Sequence, residues 1–165
     1  MDQWNGGAWS MVSVGSTNFP GNSCGSTGCM YTNIESAEKI AEKPYVIFEN
    51  GKYYLMVPAL ETNKKGRSVN YNPSSSKKID FSRVYVAKDT DSAQTINNKI
   101  NGGLHIVLSP GIYNLNQPIV VNKADTVILG IGYPTLVSTS GNAVLEVGNV
   151  DGVRVAAILA QAGKQ

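Results

Sequence analysis

LHIVLSPGIYNLNQPIVVNKADTVILGIGYPTLVSTSGNAVLEVGNVDGVRVAA, residues 104–157, decides the fold. It holds six short apolar runs: Ile106-Val107-Leu108, Ile112-Tyr113-Asn114-Leu115, Ile119-Val120-Val121, Val127-Ile128-Leu129, Leu136-Val137 and Val144-Leu145-Glu146-Val147. A seventh, Val153-Arg154-Val155, follows. Gly, Pro, Asn or Asp bounds each run, which is strand punctuation. No run is long enough to span a membrane as a helix. Ile106 to Val127 is 21 positions and Val127 to Val153 is 26; Ile112 to Thr135 is 23 and Ile119 to Val144 is 25. Three families of runs recurring at this period are the mark of a solenoid with one coil per period. Three strands per coil predict a parallel β-helix with three sheets, each strand pairing with its equivalent one coil along. A β-sandwich is the alternative, but it favours two-residue hairpins between runs, and no Asn-Gly or Asp-Gly joins two adjacent runs here.

Upstream of the coils, Ala93, Ile96 and Ile100 share one helical face, and Asp91 or Ser92 can cap it. Asn101-Gly102-Gly103 ends that helix. Placed before the first coil, it covers strand edges that would otherwise lie open. Phe81 to Ala87 reads as a strand, and Glu61 to Lys78 as a long polar loop. Tyr45–Glu49, Asn50-Gly51 and Lys52–Val57 form the clearest local signal, a type I′ hairpin ended by Pro58. Asn33 to Glu42 fits one or two helical turns or an extended run, stopped by Pro44. Trp9 to Val14 alternates as a strand does. The expected division is residues 1–88, an irregular hairpin-containing segment, and residues 89–165, a capping helix with about two to three coils. The fold class is all-β.

Charged residues are only 16% of the 165 and the net charge is +2, too little for a nucleic-acid partner. Low charge with 17 Gly suits an extracellular β-rich protein. Met1-Asp2-Gln3-Trp4 lacks the parts of a secretory signal, so a signal has been removed or the chain is a piece of a longer one. Cys24 and Cys29 bracket four residues that include two glycines, so a small disulfide loop is sterically easy; two free thiols are the alternative. A disulfide implies an oxidising compartment. With His105 the only histidine, no metal site and no cofactor are expected.

The segment AQTINNKINGGLHIVLSPGIYNLNQPIVVNKADTVILGIGYPTLVS (residues 93–138) resembles the opening coils of pectate-lyase-like right-handed β-helix proteins. More narrowly it is similar to the glycoside hydrolase family 55 type. The carriers are a helix with Ile-Asn, an apolar strand, Pro-Gly-Ile-Tyr and Val-Ile-Leu-Gly-Ile-Gly, with Val150-Asp151-Gly152-Val153-Arg154-Val155 later. Upstream, WNGGAWSMVSVGSTNFP, EKPYVIF and YYLMVPAL look like the segment joining the two tandem β-helices of bacterial members. The resemblance implies a secreted, exo-β-1,3-glucanase-like protein. It also implies a catalytic acid in coils beyond residue 165, so no catalytic residue is carried onto this chain.

Glycoside hydrolysis needs two carboxyl groups across a groove. Asp125 and Asp151 fall in expected turns, Glu146 points outward between Leu145 and Val147, and Asp89 and Asp91 precede the helix as capping groups. His105 has no partner nucleophile for a triad and reads as structural. Trp4 and Trp9 are the candidates for stacking on sugar rings, against a plain packing role. The expected function is part of a secreted, β-1,3-glucanase-like protein with a β-glucan-like polysaccharide as partner. The rival is a non-enzymatic module for polysaccharide binding, adhesion or self-assembly. Ala156 to Ala160 is apolar with no helix after it, so another chain, or the rest of a parent protein, is expected to cover that end of the coils.

Overall fold

The computed structural model describes residues 11–19, 23–25, 28–66 and 75–163. The chain forms two compact units, Met1–Glu42 with Pro58–Ser76, and Lys43–Val57 with Lys77–Gln165. The units interleave in sequence, so a cut at residue 88 passes through the second. The physical reason is that the Asn50-Gly51 hairpin buries its apolar face within the second unit.

In the first unit, β1 (Met11–Val14) runs parallel to β3 (Gly28–Ile34), and β2 (Ser23–Gly25) pairs antiparallel with β3. β4 (Ala37–Ala41) pairs antiparallel with β7 (Leu60–Lys64). So residues 37–41 are extended rather than helical, and the stretch read as a loop from Glu61 begins in a strand. Cross-strand pairing decides both, because a run this short gains little from helix formation. The Gly15 N–H donates to Ile34 O at 2.8 Å and the Gly66 N–H to Gly15 O at 2.7 Å.

In the second unit, β5 (Tyr45–Glu49), β6 (Lys52–Val57) and β8 (Lys77–Asp80) form an antiparallel sheet in the order β5-β6-β8. Asn50 and Gly51 have φ of 50° and 78°, the two positive values that a type I′ turn demands. A 3-10 turn at Phe81–Arg83 leads into β9 (Val84–Ala87), and then comes α1 (Ala93–Asn101). The coils follow as β10 (His105–Leu108), β11 (Ile112–Leu115), β12 (Ile119–Val121), β13 (Val127–Gly130), β14 (Thr135–Ser138) and β15 (Leu145–Val147). β16 (Arg154–Ala156) and β17 (Leu159–Ala162) complete the described strands.

All coil ladders are parallel. They run β9-β10-β13-β16, β11-β14-β17 and β12-β15. The architecture is therefore the parallel β-helix that the run spacing predicts. Two joins lie outside that prediction: β9 is a rung of the first ladder, and the weakly strand-forming Leu159-Ala160-Gln161-Ala162 is a rung of the second.

The interior is apolar. Ile106, Leu108, Tyr113, Leu115, Ile119, Val121, Ile128 and Leu136 are buried in one cluster with Ala93, Ile96 and Ile100 of α1. Enclosing each large aliphatic side chain stabilises by about 1.5–3 kcal/mol before entropy is counted. The opposite faces of β10 and β13 are covered too. Val107, Val127 and Leu129 pack with Leu55 of β6 and Ile79 of β8, flanked by Val46, Val57 and Phe81. A Cβ on Gly130 would come within 2.0 Å of Ala157 O, so only glycine lets the next coil stack this closely there.

α1 stands where the rung of β9, ahead of the first coil, has no second and third strand. Ser92 Oγ caps it by accepting from the Thr95 N–H at 3.1 Å. Asn97, 9% exposed, turns its side chain to the edge of β12. Its Nδ2 donates to Pro118 O at 3.0 Å and its Oδ1 accepts from the Val120 N–H at 2.8 Å. That is the pair of bonds the N–H and C=O of one residue of a parallel neighbour would make around Ile119.

Candidate functional site

Among the described residues, each candidate carboxylate is either exposed or committed to a local bond. Asp125 and Asp151 lie on successive turns, joined by the Asp125 N–H donating to Asp151 O at 2.9 Å. Both are exposed, and Asp125 faces Lys77 with an Nζ–Oδ2 distance of 3.9 Å. Glu146 is exposed on β15. Asp91 is committed locally: its Oδ2 accepts from Tyr85 Oη and from the Lys88 N–H, each at 2.9 Å. That bond raises the Tyr85 hydroxyl pKa above its ordinary value. Ser92, not Asp89 or Asp91, caps α1. Among the described residues, no three His, Cys, Asp or Glu side chains come together as a metal site.

His105 is buried, 9% exposed, and its Nδ1 accepts from the Val127 N–H at 3.2 Å. Burial, followed by the nearby Arg83 and Lys77 charges, pushes its pKa below 6.5, against a small opposing pull from Asp125. It does structural work between two coils. Tyr113 is likewise structural. Its buried hydroxyl donates to Ala87 O at 2.9 Å, and burial raises its pKa.

Beside the hairpin turn, exposed aromatic rings come together. Phe48 and Tyr53 are cross-strand partners next to the type I′ turn, with ring centroids 4.9 Å apart. Tyr53 lies 5.7 Å from Phe81. Phe48 is 64% exposed and Tyr53 55%, so two of the three rings offer open faces. On the other face of the same sheet, Lys78 Nζ sits 4.1 Å above the Tyr54 ring and pairs with Glu49. That pairing raises the Lys78 pKa. Open aromatic faces such as those of Phe48 and Tyr53 suit a sugar ring, which has apolar C–H faces. Reading Tyr45–Val57 as strand-forming residues hid this, because aromatic residues are also what strands prefer.

Trp4 and Trp9 lie outside the described residues. Cys24 and Cys29 are Cα register partners in the β2–β3 pair; their side chains lie outside the description.

Residues 84–165 match the LAM55 pectate lyase-like domain. An exo-β-1,3-glucanase of Streptomyces sp. (strain SirexAA-E / ActE) is 36% identical over 160 residues, covering 97% of this chain and 26% of that protein. The structure of sacteLam55A from Streptomyces sp. SirexAA-E superposes with a TM-score of 0.78 at 32% identity, covering 98% of this chain and 31% of that one. A variant of sacteLam55A in complex with glucose gives 0.79 at 33% identity, with the same coverage. The chain thus spans about a quarter to a third of the length of these relatives.

Proposed function

The chain belongs to the glycoside hydrolase family 55 type of pectate-lyase-like β-helix proteins, and from that premise we propose that it is the scaffold part of a carbohydrate-active protein directed at β-1,3-glucan. The observation that carries this reading is the 36% identity, over 97% of the chain, to an exo-β-1,3-glucanase. The glucose complex of a related variant supports a glucan ligand. In this proposal Phe48 and Tyr53 stack on the glucan, Trp4 and Trp9 are further stacking candidates, and no residue of this chain acts as catalytic acid or nucleophile. The exposed placement of Asp151 and Glu146 supports that last part.

The test is retention on laminarin-type glucan together with reducing-sugar release. Retention that weakens in the Phe48→Ala/Tyr53→Ala double variant, without sugar release, is expected. No retention by the parent chain removes the glucan reading. Sugar release that disappears with Glu146→Gln removes the non-catalytic part.

Secretion and a Cys24–Cys29 disulfide belong to the same proposal. Direct register opposition in an antiparallel pair supports the disulfide, since opposed residues bring their Cα atoms into bridging range. A mass two hydrogens below the reduced value is expected, and two alkylatable thiols would reject it. The alternative, a self-assembling or adhesive module, is favoured by Val147, Val155 and Leu159, which are 49%, 38% and 52% exposed on the last strands. Apolar surface of this kind is an association site. A further segment of protein, or a second copy, is proposed to cover it. Concentration-dependent sizing that is flattened by Leu159→Asp is expected under that alternative.

A further inference from the structure

We propose that His105 is an acid-sensitive latch that holds the second coil on the first at neutral pH and releases its leading turn as the pH falls. The parallel ladder between β10 and β13 begins at Ile106↔Ile128. One residue earlier, a side chain does what backbone does elsewhere: His105 Nδ1 takes the Val127 N–H at 3.2 Å. A backbone N–H can only donate, so this nitrogen must carry a lone pair and the ring must be neutral. Val127 is fully buried and has no water to turn to.

Protonation sets N–H against N–H and adds a positive charge to a buried site. The groups around that charge make it worse. Lys77 of β8 and Arg83 of the 3-10 turn both oppose it. Asp125, in the turn before β13, favours it but is already opposite Lys77 at 3.9 Å. Arg154 of β16 is the register partner of Val127, so the next rung brings a cation and not a carboxylate. The imidazolium therefore leaves the site, and the Val127 N–H loses its acceptor.

What is released is the turn 122–126. Asp125 holds a φ of 58° there, and Thr126 Oγ1 donates to Lys123 O at 2.8 Å. Its anchor on the following turn, the Asp125 N–H to Asp151 O bond, remains. The opening is local because Ile106, Leu108 and Ile128 stay in the apolar interior, which has no titrating group at that point.

The direction follows from the depressed pKa of the folded state. The unfolded chain takes up its proton near pH 6.5, and the folded chain only below that. The latch contribution is thus complete above pH 6.5 and is lost as the pH falls from there toward the folded value.

The chain has one histidine, so a single imidazole resonance reports the titration directly. Amide exchange at Val127, expressed as a protection factor, reports the latch. The expected result is a His105 pKa below 6.5 and a Val127 protection factor that falls by up to about tenfold per pH unit on acidification. Protection at Leu108 and Ile128 should hold. His105→Asn keeps an acceptor that does not titrate, and should flatten the Val127 profile. A His105 pKa at or above 6.5, measured in the parent chain, overturns the proposal whether or not the variant folds. So does Val127 protection that is flat with pH, or that falls equally in His105→Asn.

Discussion

The two units use strands in opposite ways. In the second, each rung from β10 to β14 adds side chains to a shared interior, and Ile106, Ile119, Ile128 and Leu136 are fully enclosed. Among the described residues of the first, the strands pair but enclose little. Val12, Val14, Ile34 and Leu60 are 68%, 49%, 48% and 51% exposed. All the Leu, Ile, Val, Met, Tyr and Ala side chains that are buried among the described residues belong to the second unit. Hydrogen-bonded ladders exchange water partners for protein partners and gain little net free energy. Stacking equivalent positions removes apolar area from water on every turn, and that is where stability comes from. Repetition of the coil is therefore an energetic device as much as a topological one.

The sharpest way to break this comparison is to hollow the stack. Ile128→Ala, which removes a side chain from the centre of the coil interior, should cost about 2–5 kcal/mol in urea unfolding of the second unit. A cost below about 1 kcal/mol would mean that the stack is not the core. Asn97→Ala should cost about 1–3 kcal/mol, since it orphans Pro118 O and the Val120 N–H. Amide exchange at Val120 should quicken more than exchange at Val107, and equal acceleration would show a global effect instead of an opened edge. At the small end, Val12→Thr in the first unit should change stability by no more than about 0.5 kcal/mol. A loss of several times that in unfolding experiments would reveal a core role for this exposed face and close the gap between the units.

Most of the second unit is legible because its signals are local or periodic. The Asn50-Gly51 turn, the Ser92-capped helix and the recurring apolar runs each state their structure within a few residues. The pairing of β4 with β7 is not legible: Leu60-Glu61-Thr62-Asn63-Lys64 has no alternation, and its partner lies some twenty residues upstream. β17 escapes because Ala and Gln are weak strand formers, and its place is imposed by β14 beside it. The candidate site is the less legible half. His105 was readable as structural, but its bond to Val127 depends on a register that only the folded coils define. Phe48 and Tyr53 carry one sequence signal, strand propensity, whether their rings are covered or open.

Asn97 gives the solenoid a direction. By imitating the N–H and C=O of one residue of a preceding rung, it closes the edge of β12 on the α1 side with a side chain, and no further strand can be added there without displacing it. The far side of each ladder is ordinary backbone, whose hydrogen-bonding groups a further rung can join. Lineages that vary the number of coils should therefore insert or delete them away from the helix, with α1 and its asparagine kept as a fixed origin.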